Sequence, residues 1–222
     1  MTKIAIIGAG GHTRSSINLL LNYFDSNDIS IYDDSFVRDN KQETVNVIPL
    51  IGNIDDIKLN QSIFLSVGDN SLRKKYFLKF KDQIIKDTIF HSDSLQEKDT
   101  IFGVSNQFFA HSCINSQVTI GDNNIINTGA IIEHETVLGN HNHISVGAII
   151  CGRSIIGNMC LIGAGAVVVD KTSICDNVII GAGSVVIRDI EDAGTYVGNP
   201  AKRIKWYTFL LHVLNTAKLK IL

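Results

Sequence analysis

The sequence predicts a small α/β domain followed by a parallel β-helix of hexapeptide repeats and a helical C-terminal tail. The main observation is an aliphatic residue at every sixth position from Ile114 to Val186, without a miss. An α-helix repeats every 3.6 residues or so and cannot keep one face buried on that period, whereas a short strand and a corner per six residues can. The positions are Ile114, Ile120, Ile126, Ile132, Leu138, Ile144, Ile150, Ile156, Ile162, Val168, Ile174, Ile180 and Val186.

The other two observations concern the flanking regions. Residues 1–88 alternate short apolar runs, which end in glycine or aspartate, with helical stretches, and this is typical of βαβ units. Residues 89–200 are assigned to the β-helix, with about five coils between 102 and 190, and residues 201–222 to the tail. The predicted elements outside the β-helix are the strand Lys3–Ile7, the helix Thr13–Phe24, the strands Asp28–Tyr32 and Ser62–Val67, the helix Ser71–Lys81 and the tail helix Trp206–Leu222.

Composition excludes several classes of protein. The net charge of −2 over 222 residues provides no basic surface for nucleic acid. No apolar run reaches the roughly 20 residues of a membrane span, and the apolar run at the N-terminus is too short for a signal peptide. We therefore expect a cytoplasmic protein without stable membrane insertion, whose four cysteines are free thiols.

A glycine-rich turn follows the first predicted strand. Gly8, Gly10 and Gly11 resemble a dinucleotide-binding fingerprint, although Thr13 stands where the third glycine would be. The domain is too short for two βαβαβ halves, so a nucleoside diphosphate that carries another group is the better hypothesis. Asp33 and Asp34, after the second strand, could accept hydrogen bonds from a ribose or a base. The alternative is a tight turn that binds nothing.

The polar concentration in the repeats surrounds His134 and Glu135. They lie two and three positions after the inward-facing Ile132, at a predicted corner. A histidine there can act as a general base, and an adjacent carboxylate would fix its tautomer and raise its basicity. Neighbouring side chains of a flat strand point to opposite faces, so this pairing needs the corner. The alternative is that these are solvated corner residues.

Two further histidines raise the question of a metal. His141 and His143 form a His-x-His pair that could chelate an ion, but no third ligand is evident. We therefore expect no metal site, and we interpret His141 as a solvated corner residue.

Six sequence motifs are spread along nearly the whole chain. They are Gly8-Ala9-Gly10-Gly11-His12, Gly68-Asp69-Asn70 with Leu72-Arg73-Lys74-Lys75, Asn127-Thr128, Ile132-Glu133-His134-Glu135, His143-x-Ser145-Val146-Gly147 and Val197-Gly198-Asn199-Pro200-Ala201-Lys202. With these motifs the chain resembles a known family, the bacterial PglD/NeuD-type nucleotide-sugar N-acetyltransferases, which acetylate UDP-, dTDP- or GDP-linked 4-amino-4,6-dideoxysugars. The same group also contains sialic acid O-acetyltransferases.

The resemblance implies a left-handed β-helix and an active homotrimer whose sites lie between adjacent β-helices. It implies His134 as the catalytic base and Glu135 as the residue that enhances its basicity. The implied acetyl-CoA contacts are His143, Gly152, Ala164 and Ala182. The implied nucleotide-sugar contacts are Gly10, Gly11, His12, Asp33, Asp34, Gly68 and Asn127.

The expected function is therefore acetyl-CoA-dependent, metal-free N-acetylation of the 4-amino group of a nucleotide-linked 4-amino-4,6-dideoxysugar, for surface glycan biosynthesis. UDP is the favoured nucleotide, with dTDP or GDP as alternatives. Two other functions are considered: O-acetylation of sialic or a related nonulosonic acid, and a non-catalytic trimeric scaffold. The sequence departs from the family at Thr13 and in the longer tail, which we expect to pack on the trimer.

Overall fold

The computed structural model describes residues 3–36 and 44–204. The predicted tail helix Trp206–Leu222 lies outside the described residues. Within them the structure confirms the predicted fold class, an α/β domain followed by a left-handed parallel β-helix. No helix among the described residues is long and apolar enough to cross a membrane.

The N-terminal domain is a five-stranded sheet in the order β3-β4-β2-β1-β5, parallel except for the pair β3 and β4. Its elements are β1 (Lys3–Ile7), α1 (Gly11–Leu20), a 3₁₀ turn (Ser26–Asp28), β2 (Ile29–Tyr32), β3 (Thr44–Val45), β4 (Ile48–Gly52), a second 3₁₀ turn (Ile54–Asp56), β5 (Gln61–Leu65) and α2 (Asn70–Lys79). The sequence interpretation missed β3 and β4. The chain passes from β1 to β2 and β4 on one side of the sheet and then crosses to β5 on the other side of β1, so a topological switch point lies at the carboxyl ends of β1 and β5.

The β-helix consists of three sheets, and paired residues in neighbouring coils are 18 positions apart, as in the pair Ile114 and Ile132. The first sheet contains β6 (Ile89–Phe90), β9 (Gln107–Phe108), β12 (Ile125–Ile126), β15 (His143–Ile144), β18 (Leu161–Ile162), β21 (Val178–Ile180), β23 (Gly194–Val197) and β24 (Lys202–Ile204). The second contains β7 (Leu95–Gln96), β10 (Cys113–Ile114), β13 (Ile131–Ile132), β16 (Ile149–Ile150), β19 (Val167–Val168) and β22 (Val185–Val186). The third contains β8 (Ile101–Phe102), β11 (Thr119–Ile120), β14 (Val137–Leu138), β17 (Ile155–Ile156) and β20 (Ser173–Ile174).

Both ends of the β-helix extend further than the aliphatic pattern suggests. The second sheet has six strands, one per coil, because a coil with an irregular sequence precedes the regular repeat. At the other end β24 pairs antiparallel with β23. Residues 202–204, which the sequence interpretation places in the tail, therefore complete the first sheet.

Small residues or asparagines stand two positions before most of the aliphatic residues, and the interior explains the asparagines. The aliphatic series stacks in one continuous core, and every member from Ile114 to Val186 is buried. Asn106, Asn124 and Asn142 stack beside it, each accepting the backbone N–H of the residue one coil further on at 2.6–2.8 Å. These buried amides satisfy backbone donors that a tight corner would otherwise leave unpaired. Cys160 follows in that column and is a buried free thiol.

Every corner type contains a residue in the left-handed backbone region, again at intervals of 18. The corner after the second sheet includes Glu135, with φ of 59°. The complete columns are Asp99, Gln117, Glu135, Arg153 and Lys171 after the second sheet, Ser105, Asn123, His141, Met159 and Asn177 after the third, and His111, Gly129, Gly147, Gly165 and Gly183 after the first.

The N-terminal domain packs against the outer face of the first sheet. Phe109 and Ile125 belong to the same buried cluster as the side chains between α1 and the domain's own sheet. Gln107 donates from Nε2 to the Leu65 carbonyl at 2.7 Å. The switch point of the α/β domain is thereby placed beside the β-helix.

Candidate active site

The glycine turn lies at the switch point, and its backbone is open to a ligand. Gly8 has φ of 112°, and a Cβ there would lie 2.6 Å from the Ser66 carbonyl oxygen, so only glycine fits. Gly10 and Gly11 are exposed, and a Cβ on either would meet no atom within 4 Å. The helix α1 begins at Gly11 without a side-chain cap, so its first N–H groups face outward. This arrangement suits a phosphate.

Thr13 closes the turn in place of a third glycine. Its side chain is fully buried, and Oγ1 donates to the Gly8 carbonyl at 2.8 Å. The departure from the fingerprint therefore stabilises the turn from beneath, and it leaves the outward face of Gly10 and Gly11 free.

The two aspartates after β2 have different surroundings. Asp33 accepts the backbone N–H of Ala9 at 2.8 Å and that of Ser35 at 2.9 Å. Burial alone would raise the pKa of Asp33, but the hydrogen bonds from Ser35 and Ala9 outweigh it and lower that pKa. Asp33 thus stabilises the conformation of the glycine turn through its bond to Ala9. Asp34 is exposed, accepts the Tyr76 hydroxyl at 3.2 Å and retains acceptor capacity for a ligand.

His143 connects the β-helix to the substrate side of the α/β domain. Asn127 Oδ1 accepts the Thr128 N–H at 2.8 Å, so its Nδ2 is the atom that donates to His143 Nε2, at 3.1 Å. His143 Nδ1 then donates to the Gly68 carbonyl, also at 3.1 Å. Burial lowers the pKa of His143 to about 4, which keeps the ring neutral in this tautomer. Both ring nitrogens are therefore engaged, and the predicted contact with acetyl-CoA would have to replace one of these bonds.

His12 completes this group. Its ring centroid lies 6.0 Å from that of His143 and 5.2 Å from that of Phe109. Burial, followed by the nearby His143, lowers the pKa of His12 to about 4. The structure thus brings together four predicted substrate or coenzyme residues, which are His12, Gly68, Asn127 and His143.

His134, Glu135 and Gly152 form a separate group at the corner between the second and third sheets. The left-handed backbone at Glu135 turns its side chain toward its neighbour, and His134 Nδ1 donates to Glu135 Oε2 at 3.0 Å. Both side chains are about half exposed, at 47% and 50%. A Cβ at Gly152, one coil further on, would lie 2.7 Å from His134 Nε2, so the imidazole rests on the glycine backbone.

Ala164 and Ala182 lie on another edge of the same β-helix. Both are exposed at the corner between the first and second sheets, next to Gly165 and Gly183. In a triangular coil the corner of His134 lies opposite the first sheet, which carries His143. Within residues 3–36 and 44–204, no hydrogen bond or ring contact joins the two histidine groups.

The structure also places the His-x-His pair. His141 Nδ1 is bonded to Asn123 Nδ2 at 2.8 Å, and both nitrogens of His143 are engaged. His141 is buried, which corrects the interpretation of it as a solvated corner residue. In the described part of the chain, no three His, Cys, Asp or Glu side chains form a group that could hold a metal ion.

Sequence reasoning missed one polar residue beside this group, Arg73. It is fully buried on α2, although the neighbouring lysines suggest a solvated basic helix. Its place in the motif with Gly68-Asp69-Asn70 is the signal that could have drawn attention to it.

Comparisons with known proteins agree with this architecture. Residues 3–80 match the PglD N-terminal domain model, and residues 153–188 match the bacterial transferase hexapeptide (six repeats) model. A search of curated protein sequences finds no match.

Three solved structures resemble this protein over most of its chain. The acetyltransferase domain of PglB from Neisseria gonorrhoeae FA1090, in complex with acetyl coenzyme A, is 30% identical with a TM-score of 0.78, over 91% of this chain and 98% of that one. PerB from Caulobacter crescentus, in complex with CoA and GDP-perosamine, is 28% identical with a TM-score of 0.82, over 92% and 98%. WeeI from Acinetobacter baumannii AYE, at 21% identity, shares the fold, with a TM-score of 0.81 over 92% and 100%. The chain therefore belongs to the PglD family of hexapeptide-repeat acetyltransferases.

Proposed function

We propose that this acetyltransferase moves the acetyl group of acetyl-CoA to the 4-amino group of a nucleotide-linked 4-amino-4,6-dideoxysugar, in surface glycan biosynthesis. The observation that carries the proposal is the pairing of His134 with Glu135 over the bare backbone of Gly152. The relatives support the substrate class, because one is described with acetyl coenzyme A and another with CoA and GDP-perosamine.

The carboxylate of Glu135 determines which nitrogen of His134 is the base. Because Nδ1–H donates to Glu135 Oε2, the proton of the neutral ring stays on Nδ1 and Nε2 keeps its lone pair. The same carboxylate stabilises the imidazolium once Nε2 has taken a proton. Half exposure leaves Nε2 within reach of an incoming amine.

The chemistry is direct transfer. The amine nitrogen attacks the thioester carbonyl carbon and passes its proton to His134 Nε2, and the tetrahedral oxyanion then collapses. The C–S bond breaks, and the imidazolium returns the proton to the sulfur, giving CoA and the acetamide. Because both nitrogens of His143 are engaged, a backbone N–H is the better candidate to stabilise the oxyanion.

The nucleotide is proposed to lie at the switch point of the α/β domain. The N–H groups at Gly10 and Gly11 would bind its diphosphate, and Asp34 would accept hydrogen bonds from the ribose or base. Asp33, His12, Gly68 and Asn127 would shape this site from its floor and from the β-helix side. UDP remains the favoured nucleotide, with dTDP and GDP as alternatives.

The coenzyme is proposed to run along an edge that is lined by alanine and glycine. Ala164 and Ala182 are exposed beside Gly165 and Gly183, and this bare backbone gives a pantetheine arm room to approach. Gly152 lies on a different edge of the coil, so Gly152 and His134 of a neighbouring β-helix would face this path in the trimer.

A homotrimer would unite the parts that one chain keeps apart. His134 lies across the coil from His143 and Gly68, so the acceptor bound by one chain would be presented to His134 of a neighbouring β-helix. The third sheet, which borders His134, exposes Ile101, Val137 and Ile155 at 65%, 44% and 52%. A row of exposed aliphatic side chains on a flat sheet favours self-association.

The proposal is tested in two steps. Thermal shifts with UDP, dTDP, GDP and CMP identify the nucleotide, because a ligand that binds only the native state raises its stability. Release of free CoA thiol is then followed with the matching 4-amino-4,6-dideoxysugar nucleotide, and acetyl-CoA without acceptor is the control. Transfer to a nonulosonic acid, with none to any amino-sugar nucleotide, would replace this proposal by the O-acetyltransferase.

A further inference from the structure

Arg73 is a cation with no exposed surface, although Leu72 and Lys75 beside it on α2 are exposed. Each of its five N–H groups has an acceptor nearby, and none of the acceptors is a carboxylate. The acceptors are the carbonyls of Val67 at 3.1 Å, Gly68 at 3.2 Å, Asn123 at 3.3 Å, His141 at 3.1 Å and Asn142 at 3.0 Å, and Oδ1 of Asn70 at 2.8 Å.

These acceptors come from both domains. Val67 and Gly68 follow β5 at the switch point, whereas Asn123 and His141 occupy the same corner in successive coils of the β-helix. Burial lowers the pKa of Arg73 to about 9, which still leaves the guanidinium charged at neutral pH. A buried charge of this kind is stabilised only if its hydrogen bonds keep their geometry. The guanidinium therefore fixes the distance and angle between the two domains at this point.

The Gly68 carbonyl is held from two sides. It accepts from Arg73 Nη1 at 3.2 Å and from His143 Nδ1 at 3.1 Å. Next to it, Asn70 Nδ2 donates to the Cys160 carbonyl at 2.9 Å, so the chain entering α2 is also bonded to the β-helix. The loop 66–70 is thus bonded directly to two coils, through His143 and Cys160, and to a third through Arg73 and the Asn123 carbonyl. The glycine turn across from it stays open.

We infer that Arg73 is a positioning residue for the transfer reaction, which fixes the loop 66–70 on the β-helix and so sets the direction in which the acceptor sugar leaves the α/β domain. The inference rests on the proposed function. A lysine could not replace Arg73, because an ammonium has three donors and no planar fork with which to span carbonyls of two domains.

Arg73→Lys tests this inference, with Lys75→Met as the matched control on the exposed face of the same helix. In Arg73→Lys we expect kcat to fall about 10- to 100-fold, since small misplacements of a reacting group have effects of that order. We expect KM for the sugar nucleotide to rise several-fold. KM for acetyl-CoA and the affinity for the free nucleoside diphosphate should stay within about twofold, because the latter depends on Gly10 and Gly11. A merely structural role would lower kcat and weaken the binding of acetyl-CoA, of the nucleoside diphosphate and of the sugar nucleotide together.

Asn70→Ala provides a second, milder variant if Arg73→Lys does not fold, since it removes one acceptor of the guanidinium and the bond to the Cys160 carbonyl, both of which hold the loop 66–70 on the β-helix. It should change kcat in the same direction by a smaller factor. The inference would be overturned if Arg73→Lys, or Asn70→Ala in its place, had the same kinetic constants as the control. An equal loss of coenzyme, nucleotide and acceptor binding would overturn it as well.

Hydrogen exchange tests the role of Arg73 without depending on the identity of the substrate. Backbone amides of residues 66–70 should exchange faster in Arg73→Lys than in the wild type, with no change at Gly10 and Gly11. If the wild type acetylates no sugar nucleotide, the proposed function fails, and the exchange result then decides on Arg73 alone. Unchanged exchange at residues 66–70 would show that Arg73 does not position this loop.

Discussion

A methyl group added at Gly152 would press on the proposed catalytic base without straining the backbone. Its Cβ would lie 2.7 Å from both Nε2 and Cε1 of His134. Ordinary contact begins at 3.4 Å, so the imidazole must retreat by about 0.7 Å. Because Nδ1 belongs to the same rigid ring, the retreat would also change the 3.0 Å bond to Glu135 Oε2. Gly152→Ala therefore moves the base while leaving the stacked aliphatic core intact.

The size of the effect follows from the chemistry. A displacement approaching 1 Å can lower the rate by up to about 100-fold, which corresponds to roughly 2.7 kcal/mol of transition-state stabilisation. We expect kcat for acetyl transfer to fall 10- to 100-fold and KM for acetyl-CoA to rise, because Gly152 also lies on the proposed path of the coenzyme. If Gly152 serves the coenzyme alone, KM for acetyl-CoA rises and kcat at saturation is retained.

A double-mutant cycle provides the control. In a His134→Ala background the imidazole is absent, so Gly152→Ala should have no further effect on kcat. Steady-state thiol release by the four proteins measures this. Independent, multiplicative losses would refute the reasoning, and so would a kcat of Gly152→Ala within about twofold of the wild type.

His134→Ala should lower kcat roughly 10²–10⁴-fold with both affinities retained. The residual rate should rise with pH as the acceptor amine deprotonates, whereas a mutant that is inactive at every pH would favour a hydroxyl acceptor. Asp34→Ala should raise KM for the nucleotide sugar and leave that for acetyl-CoA unchanged; equal losses in calorimetry would indicate misfolding instead. Sedimentation equilibrium at micromolar concentration should give three times the chain mass of 24.3 kDa, and a monomer would refute the shared site. Burial lowers the pKa of His12, His141 and His143 to about 4, so the unfolded chain binds more protons than the native one below about pH 6.5. The urea concentration at the midpoint of unfolding should therefore decrease as the pH is lowered from 6.5 to 4. A midpoint that stays constant across that window would contradict the burial of these three histidines.

The sequence by itself determined the features that depend on local periodicity. A strict six-residue series leaves few arrangements other than a β-helix, and the structure confirms the stacked core from Ile114 to Val186. The turn at Gly8 and the helix behind it follow from adjacent residues in the same way. The prediction that His134 and Glu135 can pair only at a corner is also local, and the left-handed φ of Glu135 confirms it.

The tertiary structure decided which distant residues meet. Gly152 lies one 18-residue coil after His134, but only the structure shows that its backbone supports the imidazole. Gly68 and His143 are 75 positions apart, and Arg73 and His141 are 68 apart. Their contacts depend on how the α/β domain docks on the first sheet. The two domains dock through many weak side-chain contacts and a few buried hydrogen bonds. These contacts leave no periodic pattern in the sequence from which the docking could be predicted. For that reason a buried arginine at the domain junction resembles, in the sequence, one more charge on a basic helix.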